Sequence, residues 1–488
     1  MDAKSLAHEK LLKTDVLVIG GAGAGLRAGI EAKLCGVDTI IASKMPAGGT
    51  CCTLLIGGYI TGATLENEDQ LFKQIVYTGG YINNQRLVDV FLQDAIHTIP
   101  QLRDYDVIIE YKPGETPDMP AHYMTIKIDN KPKGYGLLQA MRKKAEELGV
   151  KILDKVIITE LTKSDDTITG AVGVDLKSGE FLTISAKSVV IGSGGGAYAF
   201  GRSDNPRGTT GDGFSLAYLV GAELVDMEFV SLVVSEKLTP EIFKVKGEPP
   251  DSIISHGHAH YFLGGIKINE NCETNIKGLF ACGEVAGGLL GAARLGGTAV
   301  ADVIVFGRRA GFSAAQFAKN SRGQDIDVNQ VQEAKSGYVK MTRDNNASAT
   351  DILAKIQSLL WKYLGPVKSE YTLKKALELL DDMNGEVSNL GARNPKEILS
   401  AYEAKNIHLL GKILASASLI RKETRGNFWR ADYPNPDNNR WIKNIVLWED
   451  RGKVVTRIDD VVMTRLHSPV EPPIGSGCYW YHPKIDIR

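Results

Sequence analysis

The 488-residue chain has no pair of cysteines spaced Cys-x-x-Cys; its six thiols stand at Cys35, Cys51, Cys52, Cys272, Cys282 and Cys478. Iron–sulfur clusters and structural zinc usually draw their ligands from such spacings, so neither is expected within the chain, and no metal site is assigned. Scattered thiols fit a reducing compartment without structural disulfides. An excess of one charge is also missing: 57 basic residues face 58 acidic ones. No electrostatic case therefore arises for nucleic acid or an anionic membrane. No uninterrupted apolar run is long enough to cross a bilayer, and Met1-Asp2-Ala3-Lys4-Ser5 opens without an apolar signal core. A soluble, cytoplasmic protein with no direct membrane span is expected.

Glycine is plentiful, at 52 residues, which suits a nucleotide-binding α/β protein better than a helical bundle. The glycines crowd at 283, 287, 288, 291, 296 and 297, within a stretch from His260 to Gly311 around which the chain is organised. Glycine that dense costs backbone entropy in regular structure and points to backbone lying close against something other than side chains. A helix-like run begins at Gly297-Thr298-Ala299, and such a helix start attracts a phosphate or another anionic group. Arg294, just before it, can hold a carboxylate through two parallel hydrogen bonds.

Near the amino terminus, Asp15-Val16-Leu17-Val18-Ile19 reads as a buried parallel strand. It enters Gly20-Gly21-Ala22-Gly23-Ala24-Gly25 and then a helical pattern, as in a dinucleotide-binding βαβ unit with the pyrophosphate at the helix start. Ala22 occupies the second glycine position of the fingerprint, where its methyl crowds the ligand unless the turn shifts. The strand Val37–Lys44 ends without the acidic residue that usually binds a ribose. Residues 155–162, 168–175 and 181–186 alternate as an antiparallel meander, and Ser188–Ile191 enters a further glycine turn at Gly192-Ser193-Gly194-Gly195.

Three motifs in order carry a family resemblance: His260-Tyr261-Phe262-Leu263-Gly264-Gly265, Gly278-Leu279-Phe280-Ala281-Cys282-Gly283-Glu284 and Gly291-Ala292-Ala293-Arg294-Leu295-Gly296-Gly297. They resemble His-Tyr-x-Met-Gly-Gly, Gly-Leu-Tyr-Ala-Ala-Gly-Glu and Gly-Ala-Asn-Arg-Leu-Gly-Gly of the fumarate reductase and succinate dehydrogenase flavoproteins. That family also includes L-aspartate oxidase and the adenylylsulfate reductase flavoprotein. The resemblance runs from about residue 14 to about residue 445, and it implies FAD. Ser43-Lys44 resembles the family's Ser-Lys at the adenosine ribose. Gly48-Gly49-Thr50-Cys51-Cys52 with Gly57-Gly58 resembles the loop along the isoalloxazine ring, with Cys51 where some members attach FAD through histidine. Non-covalent FAD is expected, with cysteinyl attachment at Cys51 left open. Gly194-Gly195 resembles the family's Ala-Thr-Gly-Gly. Asn205-Pro206-Arg207-Gly208-Thr209-Thr210-Gly211-Asp212-Gly213 matches Asn-Pro-x-Gly-x-Thr-Gly-Asp-Gly, so Asn205, Thr210, Asp212 and Glu284 inherit FAD roles by resemblance; Asp212 and Glu284 also read as helix caps.

The departures bear on chemistry. Glu223–Val230 follows the family's approach to Gln-Phe-His-Pro-Thr, yet Val233 replaces the substrate-contacting histidine. The family then inserts a long capping domain that supplies an arginine proton donor, whereas residues 231–259 hold no arginine. Succinate or fumarate turnover is thus in doubt, and a longer, flatter or partner-presented substrate suits the shortened lid. Replacement groups are sought among Lys246, Glu248, His256, His258, His260 and Tyr261. The three histidines alternate, so on a strand all would face one way; one functional histidine with two neighbours outweighs a metal site. Arg294, His260, His258 and Tyr261 are the catalytic candidates.

The expected fold is α/β: a Rossmann-like FAD-binding domain with a β-meander, a truncated capping segment and a carboxy-terminal helical bundle. The expected divisions are 1–230 (with a helical segment over 66–135), 231–263 for the short cap, 264–320 for the second part of the FAD domain, 321–425 for the helical domain and 426–488 for an extended tail. Apolar spacing predicts helices from Asp351 to Tyr363, Leu373 to Met383 and Pro395 to Leu419. Lys112-Pro113-Gly114-Glu115-Thr116-Pro117 reads as a surface turn. Functionally, the resemblance implies hydride transfer between flavin N5 and a small carboxylate-bearing substrate, most simply at a C–C bond. An iron–sulfur or other electron-transfer subunit would be the partner, and oligomeric state is open. The alternatives are an amino-acid oxidase of the aspartate oxidase type and a flavin electron-transfer or scaffold subunit without its own substrate.

Overall fold

The computed structural model describes residues 9–113, 121–125, 128, 130–234, 239–343 and 347–467. The leader Met1–Ser5, most of the turn read at 112–117 and the aromatic end of the tail, including Cys478, lie outside the described residues.

The β-branched run at 15–19 is the end of a longer strand, Glu9–Ile19, at the centre of a seven-stranded sheet. Parallel neighbours flank it: Thr39–Ser43, with Lys151–Asp154 beyond, on one side and Phe181–Ile191 on the other. Val16, Leu17 and Val18 are fully buried, as a strand covered on both faces requires. The sequence suggested separate strands at 181–186 and 188–191; they are one strand. Its first half closes the antiparallel meander with Val156–Ser164 and Thr167–Asp175, while its second half pairs in parallel with Leu279–Ala281. Two stretches distant in the chain thereby bring their glycine turns to the same sheet end.

The helices Gly23–Leu34 and Thr298–Asn320 cover this sheet and pack on each other. Gly307 and Gly311 lie against backbone oxygens of Ala24 and Ala28, with room for no added methyl. The helical segment expected over 66–135 holds helices Glu68–Thr78 and Gln85–Thr98 and a 3-10 turn at Pro100–Tyr105. Its later part is corrected: Ile109–Lys112 and His122–Thr125 are strands, paired antiparallel.

The short cap is a two-stranded ribbon, Val230–Val233 antiparallel to His258–Phe262, with single helical turns Thr239–Ile242 and Asp251–Ile254 described between them. Helices Ala349–Leu364, Glu370–Asp382 and Pro395–Ile420 form the carboxy-terminal bundle, starting with serine and asparagine caps at Ser348, Ser369 and Asn394. Past residue 426 the chain is more than an extended tail. Lys443–Asp450 and Lys453–Asp460 form a hairpin that completes a five-stranded sheet with Leu224–Val225, Gly265–Lys267 and Ala286–Gly287.

A buried ion network fastens this region. Arg421, fully buried at the end of the long helix, donates to Glu228 at 2.6 Å, to Glu423 at 3.0 Å and to the carbonyl of Lys443 at 2.8 Å. Arg425 also pairs with Glu423 and reaches the carbonyl of Gly80. Arg421 thus ties the end of the bundle to the strand starting at Lys443, and Arg425 ties the Glu-Thr-Arg-Gly stretch at 423–426 to the turn at Gly80. Phe428 is fully buried and meets Phe229 edge-on at 5.9 Å.

Candidate active site

Two cavities lie end to end over the carboxyl ends of the central strands. The smaller, about 90 Å³, is lined by Gly20, Gly21, Ala22, Ser43, Lys44, Thr50, Cys51 and Asp212. The larger, about 350 Å³, takes in Ala22, Ala24, Cys51, Gly57, Gly194, Asn205, His260, Tyr261, Glu284, Arg294, Gly297 and Ala299. Ala22, Cys51, Gly192, Ser193, Pro206 and Thr209 line both. The two form one groove that crosses the start of helix Gly23–Leu34.

That start is shaped for an anion. Its N-cap, Ala22, makes no side-chain capping bond, and the first turn holds no acidic residue. Gly20 has φ 118°, and a Cβ there would sit 2.3 Å from the carbonyl oxygen of Gly192, so only glycine lets the two strand ends close up. Ala22 is tolerated because its methyl borders the cavities instead of backbone.

At the smaller end, the Lys44 ammonium lies 2.6 Å from Asp212 and 2.9 Å from Glu403, and it donates to Thr210. Burial lowers the Lys44 pKa, but the two carboxylates more than offset this and the ammonium is held charged. Asn406 also donates to Asp212 at 2.9 Å. Lys44, Thr210 and Asp212 therefore form one built cluster, and the sequence analysis missed its fourth member, Glu403. A buried acid on the inner side of a long helix was the only local signal; its partner lies 359 positions away.

Some of the expected cofactor residues line neither cavity. Gly23 packs against Val303 and Thr53, Gly25 against the carbonyl of Gly20, and Gly283 against Ala24. Gly49 lies in a turn donating to Pro46, Gly58 beside Thr125 and Lys133, and Thr298 is buried 3.4 Å from Thr61. Gly195 has no room for a side chain because the Glu284 carboxylate lies there. These residues hold the walls in place.

At the larger end, the Arg294 guanidinium stacks over the Tyr261 ring at 4.7 Å. Tyr261 is buried and its hydroxyl has no partner, as is true of the Ser193 hydroxyl, which borders both cavities. Burial raises the Tyr261 pKa well above its usual value, so the phenol remains a donor. Glu284 accepts from the Phe262 amide at 3.0 Å, and burial pushes its carboxyl up to about 7. Asp302, one turn into the following helix and not singled out from sequence, is pushed up to about 8 by burial and then by the neighbouring Glu284.

The three alternating histidines do not act as a set. The strand begins at His258, and His256 turns back to the Ser252 carbonyl at 3.1 Å. His258 and His260 converge on Asp204, another residue the sequence analysis missed, although it adjoins Asn205 in the Asn-Pro motif. Lys246 is exposed, and Glu248 is clasped by Lys362, Tyr363 and Tyr371, so neither borders the cavities. Among the described residues, no cluster of three or more metal-ligating side chains occurs, and no helix is long and apolar enough to cross a membrane.

An uncapped helix start, a glycine-lined groove and the orphaned Ser193 hydroxyl bordering both cavities fit a bound dinucleotide. An FAD binding domain model matches residues 15–236 and 234–300, and a fumarate reductase flavoprotein carboxy-terminal model matches 353–474. The chain belongs to this family: it is an FAD-dependent oxidoreductase of the fumarate reductase and succinate dehydrogenase flavoprotein type. It is 29% identical to an FAD-dependent oxidoreductase of Methanocaldococcus jannaschii described as uncharacterized, over 89% of this chain and 96% of that one. It is 27% identical to one of the subunits of the fumarate reductase (CoM/CoB) of Methanothermobacter marburgensis, over 90% and 98%. A chain of E. coli quinol fumarate reductase superposes with TM-score 0.83 at 19% identity, covering 94% of this chain and 99% of that one, which establishes the fold.

Proposed function

We propose that the chain reduces, or in reverse forms, a C–C double bond next to a carboxylate, taking or passing on electrons through a separate electron-transfer subunit in the cytoplasm. The observation that carries this reading is the placement of Arg294. Its guanidinium stands over Tyr261 in the same cavity as His260, at the end of the groove suited to FAD. In this reading the flavin part comprises 1–230 and 264–320, residues 231–263 form a short cover, 321–425 the bundle and 426–488 the carboxy-terminal segment.

Bound FAD supplies hydride exchange at its N5. Gly20, Gly21, Ala22 and the helix beginning at Gly23 hold the pyrophosphate. Ser43 takes the ribose, while the Lys44–Asp212–Glu403 cluster shapes the adenosine end. Arg294 binds the substrate carboxylate in a fork of two hydrogen bonds, and the stacked Tyr261 ring limits the guanidinium's swing. The Tyr261 hydroxyl donates to the substrate. His260 places a proton donor where relatives use a capping domain. A substrate longer or flatter than fumarate suits the short ribbon.

The test is reduction of enoates, fumarate and crotonate among them, by the FAD-loaded protein with reduced benzyl viologen as donor. Arg294→Ala is expected to raise KM and lower kcat/KM by about a hundredfold, in line with the loss of a charge-assisted bidentate contact of roughly 3 kcal/mol. Activity unchanged in that variant removes the anchoring role. Hydrogen peroxide release with amino acids in air would identify an oxidase instead.

A further inference from the structure

We propose that Asp204 and His260 form a proton-donating dyad at the cavity mouth, in place of the arginine of the missing cap. The inference deepens the enoate reading and rests on it for the identity of the acceptor.

The geometry is specific. Asp204 Oδ2 lies 2.7 Å from His260 Nδ1 and 3.4 Å from His258 Nε2. Its other oxygen accepts from Asn205 Nδ2 at 2.9 Å, and the same amide nitrogen donates to the carbonyl of His260 at 2.6 Å. Cys52 donates to Asn205 Oδ1, fixing the amide's orientation. Beneath these side chains the loop is already stitched to the strand: Ala259 donates to the carbonyl of Arg202, and Ser203 to that of Ala259. Two imidazoles on one carboxylate are therefore not needed to hold the loop.

A carboxylate on Nδ1 fixes the tautomer with the proton there and leaves Nε2 to exchange the second one. His260 lines the larger cavity together with Asp204, whereas His258 does not. Burial raises the Asp204 carboxyl, and the hydrogen bond and charge of His260 more than offset it, so the group sits below its usual value and remains an anion. That anion stabilises an imidazolium at His260. His258 shares the same oxygen from outside the cavity lining.

The other ionisable groups on the packed elements are Glu284 behind the strand, Arg294 and Tyr261 beside it, Cys52 on the opposite loop, His256 before the strand and Arg202, whose guanidinium is occupied by the carbonyls of Ile254 and Ser255. Reduction adds a hydride to one carbon of the double bond and a proton to its neighbour. The proton leaves Nε2 of His260, the imidazole becomes neutral, and solvent replaces the proton at a side chain that is 34% exposed. Asp204 is a positioning residue throughout and keeps its charge.

The test begins with imidazole NMR of histidine-15N-labelled, FAD-loaded protein, which needs no substrate. The His260 proton is expected on Nδ1 of the neutral ring in wild type and in His258→Gln, and shared between Nδ1 and Nε2 in Asp204→Asn, read from the two nitrogen shifts. Unchanged nitrogen shifts in Asp204→Asn overturn the dyad. So does loss of the Nδ1 proton in His258→Gln. In viologen-driven reduction of fumarate or crotonate, Asp204→Asn shifts the acid-to-base fall of kcat to lower pH with KM nearly unchanged, and His260→Gln lowers kcat by about a hundredfold or more. A kcat–pH profile identical to wild type in Asp204→Asn refutes the donor role. If wild type reduces no enoate, the functional reading fails, and the imidazole nitrogen shifts alone decide the dyad.

Discussion

Replacing Glu284 by glutamine isolates the cost of the buried acid behind the larger cavity. In the folded protein its carboxyl is raised from 4.5 to about 7, mainly by burial. Below pH 4.5 the group is protonated in both folded and unfolded chains and costs nothing. Between pH 4.5 and 7 the unfolded chain releases this proton while the folded one retains it, so the folded state loses relative stability as pH rises. A pH span of roughly 2.5 at 1.36 kcal/mol each amounts to about 3 kcal/mol, an order-of-magnitude figure because Asp302 titrates nearby. Glutamine keeps an acceptor for the Phe262 amide and has no proton to lose. Flavin-free Glu284→Gln should therefore unfold in urea at a midpoint less dependent on pH between 4.5 and 7 than wild type, and be the more stable of the two at pH 7. Parallel pH curves for the two proteins would refute the assignment of a raised carboxyl at this position.

Three further outcomes are expected. Arg421→Gln should destabilise the fold by about 3–5 kcal/mol, read from urea midpoints, because it leaves Glu228 buried without its cation and Glu423 with Arg425 alone. Gly20→Ala should abolish tight FAD retention, measured by the visible spectrum after gel filtration, since the added methyl meets the Gly192 carbonyl at 2.3 Å. Acid precipitation should release all flavin from wild type and from Cys51→Ser alike; flavin remaining with the wild-type pellet and not with the variant would establish a cysteinyl bond.

Much of the chemistry was legible because it rests on local backbone demands. The turn 20–25 requires glycine where strand ends crowd, as at Gly20, and Ala22 is permitted where it borders both cavities. Arg294 precedes a helix of 23 residues, Thr298–Asn320, whose apolar spacing is unmistakable. The lack of arginine over 231–259 was also readable directly. Long-range pairing was harder to see. The strand 181–191 was read as two because its halves serve different partners, and 443–460 was read as tail because its alternation has meaning only beside Leu224–Val225 and Gly265–Lys267. His256 dropped out because the strand starts two residues later, a boundary set by pairing with Val233.

By itself, the sequence determined the βαβ start, the glycine turns, the family and its cofactor, and the missing cap, since each depends on spacing within a few neighbouring residues. Tertiary structure decided which charges meet: Asp204 with His258 and His260, Lys44 with Glu403, and Arg421 with Glu228 and Glu423. The reason is physical. Backbone geometry is governed by neighbours along the chain, whereas the pairing and protonation of a side chain follow from burial and from groups that only folding brings within a few ångströms.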